Sequence, residues 1–106
     1  MSESIVRRRL VDASERLKKL RAELAVTDEQ LAFLEESAEE SRLRALVSET
    51  PLADVEAREA RRHADAHARQ RDALRKAIDV LVGEQDGLLD RMAPAGPPAN
   101  RSSRPL

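Results

Sequence analysis

His63 and His67 are the pair in this chain best placed for chemistry, because residues four apart on a helix lie one above the other and can grip a metal ion. A metalloprotease helix carries a glutamate directly after the first histidine as general base, and here that position is Ala64. Asp65 or Glu35 could reach toward the pair, yet no third ligand completes a recognisable motif. Both histidines face an acidic stretch, which favours protonated histidines at a rim over a metal centre. The chain has no cysteine, hence no disulfide, zinc ribbon or thiol nucleophile. No glycine-rich phosphate loop, nucleophile elbow or paired-carboxylate pocket appears. A rod of two helices also offers no cavity that excludes water. The expectation is no enzymatic activity, no catalytic residue, no metal and no cofactor.

Two other charged groups bear on function. Arg7, Arg8 and Arg9, extended by Arg16, Lys18, Lys19 and Arg21, form the best nucleic-acid candidate. No aromatic residues interleave with them for base stacking, and facing carboxylates would repel phosphate, so nucleic acid is not expected as a direct ligand. A net charge of −1 gives no bulk attraction to polyanions either. At the opposite end Glu49, Asp54, Glu56 and Glu59 gather around a turn.

The elements that position these groups follow from two heptad tracks. The first is Leu10, Ala13, Leu17, Leu20, Leu24, Thr27, Leu31, Leu34, Ala38, Ser41 and Ala45. The second is Ala57, Ala60, Ala64, His67, Arg71, Leu74, Ile78, Leu81, Gln85, Leu88 and Met92. Folding the chain near Pro51 sets Leu10 against Met92, Leu20 against Leu81, Leu24 against Ile78 and Leu34 against His67, every pair summing to 101 or 102. The expected fold is all-α: an antiparallel two-helix coiled-coil hairpin over residues 1–93. Helix one spans about 3–47, the turn 48–51 and helix two about 51–92. Ser2 or Ser4 caps the first helix, and Thr50 with Pro51 starts the second. Gly83 and Gly87 are weak points near its end. Residues 94–106, rich in proline, read as a disordered tail.

Composition and charge fit this hairpin. Of 106 residues 37% are charged and 1% aromatic, too little for a globular core. Seven basic residues between Arg7 and Arg21 face Asp79, Glu84, Asp86 and Asp90, and seven acidic residues between Glu23 and Glu40 face Arg61, Arg62, Arg69, Arg71, Arg75 and Lys76. The expected neighbours include Arg16 with Glu84 and Asp28 with Arg75, but also Arg42 with Arg61 and Arg9 with Arg91. Arg71 is expected to lay its stem across Leu31 and its head near Glu35. No apolar h-region and no 18-residue apolar stretch is present, so the expectation is a cytoplasmic protein without membrane contact.

The seam buries little apolar surface for the length of chain it orders. The remaining apolar residues are therefore informative. Val26 and Phe33 share one heptad position, with Ala66, Ala73, Ala77 and Val80 on the same side of helix two. This is a candidate docking stripe, and pairing two stripes about a two-fold axis leads to an expected homodimer of hairpins. Leu46, Val47, Leu52 and Val55 form a further cluster near the turn.

The segment DASERLKKLRAELAVTDEQLAFLEE, residues 12–36, and the Arg- and Ala-rich second helix resemble small coiled-coil hairpin proteins of actinobacteria that carry no defined activity. The resemblance implies a bacterial, cytoplasmic setting and brings no catalytic residue or ligand. The acidic turn looks like the coiled-coil tips of Gre-type transcript-cleavage factors, which enter the secondary channel of RNA polymerase; it covers architecture and tip acidity only. The leading expectation is a protein-interaction module that self-associates or docks on a larger complex through Val26, Phe33, Ala73 and Val80. The alternative is a transcription regulator working through Leu52, Asp54 and Glu56 at the tip.

Overall fold

The computed structural model describes residues 2–92. They form two helices, α1 over Glu3–Ser48 and α2 over Pro51–Met92, packed along each other as a hairpin. The expected tail at 94–106 lies outside the described residues. Ser2 caps α1, its Oγ accepting from the Ile5 amide at 3.3 Å. Thr50 does the same for α2, accepting from the Ala53 amide at 3.2 Å, with Pro51 as first helical residue. α2 continues unbroken through Gly83 and Gly87 to Met92. Between the helices Glu49 adopts a left-handed conformation with φ of 51° and donates its amide to Ala45 O at 3.0 Å. Glycine usually fills that capping position, and a glutamate there pays a steric cost on the order of 1 kcal/mol.

Every position of both expected heptad tracks is buried or half-buried. Elsewhere among the described residues only Val6, Ser37, Ala53, Ala68 and Val82 escape full exposure. Val6 and Ala53 each extend a track by one position, four residues before Leu10 and Ala57. The seam is thus longer than its expected form at both ends.

The register differs from the expected one by about half a heptad. Side chains bridge the helices at Ser14–Gln85, Gln30–His67 and Glu35–Arg61, pairs summing to 99, 97 and 96 rather than 101 or 102. The grooves agree. Ala13 shares one with Leu81 and Leu88, Leu20 with Ala77 and Leu81, and Leu34 with His63 and His67. A register summing to 98 satisfies all of these. It sets Leu17 opposite Leu81, Leu24 opposite Leu74, Leu34 opposite Ala64 and Val6 opposite Met92. The physical reason is helix direction. When two helices run antiparallel, the first apolar position of one heptad faces the second of its neighbour. The expected pairs, such as Leu10 with Met92, joined like positions, which suits parallel helices. A link of only Glu49 and Thr50 also centres the hairpin at a sum of 99.

Leu17 is 2% exposed and Ala64 fully buried. Thr27 is buried opposite Arg71, and among the described residues no buried side-chain polar atom lacks a hydrogen-bond partner.

Candidate functional site

Beyond the seam, exposed apolar residues concentrate on one side of the hairpin. Among the described residues eleven large apolar side chains are exposed, and six of them, Ile5, Val26, Phe33, Val47, Leu52 and Val80, occupy one heptad position of α1 or its counterpart in α2. Phe33, the sole aromatic residue, is 68% exposed, and Val47 at 85% is the most exposed of the set. Ala66 and Ala73 occupy the same position of α2 and are exposed as well.

Three shallow grooves open on this side. Phe33 lines the first with Glu29, Gln30, Leu34, His63 and His67. Val80 lines the second with Arg16, Leu20, Ala77 and Glu84. His63 and Ala77 lie fourteen residues apart, two full heptads, so both grooves face the same way. The third, at the open end, is lined by Arg9, Asp12, Arg16, Glu84 and Arg91 around Ala13 and Leu88. Gly87 borders the third, and nothing lies within 4 Å of the place where a Cβ would stand on it. Phe33 and Val80 therefore share a side but not a groove, with the Val26–Ala73 level between them.

The polar groups of the first groove are specific. His67 Nε2 donates to Gln30 Oε1 at 2.8 Å, and the His63 ring meets His67 edge-on with centroids 6.3 Å apart. Among the described residues no three histidines or carboxylates converge on a common point that would hold a metal. On the opposite side Arg61 donates to Glu35 Oε1 at 2.7 Å and to Asp65 Oδ1 at 3.1 Å. The hydrogen bond it donates to Glu35 holds the Arg61 guanidinium above its ordinary pKa.

Several expected neighbours are rearranged. Arg71 turns to Asp72 at 3.1 Å rather than to Glu35, which Arg61 has taken. Arg42 forks onto Glu39 at 2.7 and 3.1 Å; its hydrogen bonds, with the charge of Arg61 acting on the same carboxylate, hold the Glu39 carboxyl below the usual range. Arg16 and Glu84 share two grooves without an ion pair between them, and none joins Asp28 to Arg75. Arg9 and Arg91 do line one groove, as the charge blocks imply. Arg7 pairs with Glu3 of its own helix at 2.8 Å.

At the tip Leu52, Asp54 and Glu56 are all exposed, together with Leu46 and Val47. Sixteen residues of helix separate Phe33 from Glu49, about 24 Å by helical rise, so tip and mid-rod residues form separate candidate sites. Neither holds a nucleophile paired with a base. The open-end groove and the Gln30–His67 link escaped the sequence reading; Gly87 placed one turn from the seam was the available signal for the first. No described helix is long and apolar enough to cross a membrane. No protein-family model matches the chain, and no curated protein or solved structure is significantly similar to it.

Proposed function

We propose that this chain is a non-enzymatic protein-interaction module, a cytoplasmic helical hairpin of bacterial type that docks through its Phe33 side. One observation carries the reading: six exposed large apolar residues fall on a single heptad position of the paired helices. Chance exposure scatters such residues around a helix; a stripe in one register favours a partner laid along the rod. Val26, Phe33, Ala73 and Val80 are its central residues. The competing explanation is that Phe33 and its neighbours only shield the seam within one hairpin.

Phe33→Asp separates the two. A docking residue leaves helicity and melting of the dilute chain unchanged while association is lost. A shielding residue lowers the melting temperature of the dilute, unassociated chain.

The exposure of Val47 and Leu52 beside Asp54 and Glu56 supports a second reading, a regulator that inserts its tip into a larger machine such as RNA polymerase. Asp54→Lys discriminates: it abolishes binding to polymerase if the tip is the working end. It leaves binding intact if the Phe33 side is.

A further inference from the structure

We propose that the occupant of the Phe33 side is a second copy of this chain, stacked about a two-fold axis along the rod, with both tips at one end. α1 of each copy then lies over α2 of the other. This rests on the docking face argued above and adds the identity and orientation of its partner.

Charge complementarity is the first argument. α1 carries seven basic residues between Arg7 and Arg21, then seven acidic ones between Glu23 and Glu40. In chain order α2 is also basic first, from Arg58 to Lys76, and acidic afterwards, from Asp79 to Asp90. Because the helices run antiparallel, they carry opposite dominant signs at each height along the rod. Stacking α1 over α2 of a second copy at equal height repeats that opposition across the new interface.

Side-chain size is the second argument, and it selects the orientation. Equal height brings together stripe positions whose numbers sum to 99, one step from the internal register. Phe33 falls on Ala66 of the partner subunit, Val26 on Ala73 of the partner subunit and Val47 on Leu52 of the partner subunit. At mid-rod Phe33 and Val26 each meet a small residue, Val80 meets the stem of Lys19 of the partner subunit, and the most exposed apolar pair of the tip covers itself. The two-fold doubles every such contact.

An end-to-end reversed dimer, α1 on α1, matches neither charges nor sizes: centred on this patch, it turns the acidic stretch from Glu23 to Glu36 onto itself. It sets Phe33 on Val26 of the partner subunit and leaves Ala66 facing Ala73 of the partner subunit across a gap. It also drops Val47 onto Asp12 of the partner subunit. One layer runs against the parallel arrangement, Glu40 over Glu59 of the partner subunit, and Arg58 and Arg62 flank it on α2.

The test uses the full chain with a spin label on Leu46→Cys, an exposed site near the tip and off the stripe. Sedimentation equilibrium gives the mass and pulsed electron resonance the label separation. The expected result is a dimer with labels roughly 20–35 Å apart, two helix layers plus the label arms. Phe33→Asp should raise its dissociation constant about a hundredfold or more, since two rings lose their cover. A dimer with labels about 50 Å or more apart, the axial separation of reversed rods, overturns the orientation while leaving the docking face. A chain that stays monomeric and fully helical at high micromolar concentration overturns self-association. A dimer indifferent to Phe33→Asp overturns the docking face itself.

Discussion

The two long sides of the hairpin flank the same seam and are finished in opposite ways. On one, Arg61 ties Glu35 across the helices and Asp65 along its own, Ser14 accepts from Gln85 at 3.0 Å, and Ala68 and Val82 are half-buried. On the other, Phe33, Val26 and Val80 stand in solvent above three grooves, and the polar link, Gln30 with His67, lines the groove of Phe33 itself. A seam of this kind fixes only two positions in seven. The flanking positions are free to carry other information, and here one flank closes the hairpin while its counterpart presents a surface.

The seam common to both sides should respond most strongly. Leu17→Ala removes the most deeply buried leucine, 2% exposed, and should destabilise the hairpin by about 2–5 kcal/mol in urea or thermal unfolding. A loss below 1 kcal/mol would mean that the seam does not hold the two sides together.

The register decides which residues emerge on which side, and it has an all-or-none test. Cysteines at Leu24 and Leu74 should form an intramolecular disulfide readily, because these seam positions face each other. Cysteines at Leu24 and Ile78, four residues further along α2, should bond poorly, since the offset is about 6 Å along the axis. The reverse preference would restore the register in which like heptad positions pair, and would move the flanks with it.

How much of this was legible beforehand differs between seam and flanks. The alternation of three and four residues from Leu10 to Ala45 and from Ala57 to Met92 identifies the buried face of each helix without ambiguity. It leaves the axial offset open, because sliding one helix by half a heptad still presents an apolar residue at nearly every layer, Thr27 with Arg71 being the exception. Two details resolve it: opposed helices pair unlike heptad positions, and a link of Glu49 and Thr50 alone sets the centre of the hairpin. In the structure Arg61 meets Glu35 across the seam, and both Arg61 and Arg42 act on Glu39. The exposed stripe was legible from the seven-residue spacing of Val26 and Phe33, which holds whatever the offset. The grooves were not, since each depends on which residues of α2 fall beside which seam residue of α1.

A smaller effect is expected on the closed side. Arg61→Ala removes a pair whose members are each nearly half exposed, so solvent screening limits its worth to about 0.2–1 kcal/mol. Association should be untouched. If Arg61→Ala weakened association as much as Phe33→Asp, the division of labour between the two sides would be wrong.

The central claim is that the Phe33 side is an interface and not a cover for its own seam. Melting temperature measured over a thousandfold range of protein concentration tests it most directly, because only association makes stability depend on concentration. The account predicts that the melting temperature of the native chain rises with concentration, whereas that of Phe33→Asp stays flat and coincides with the native value at the dilute end. A native melting temperature independent of concentration, together with a lower one for Phe33→Asp at every concentration, would contradict it.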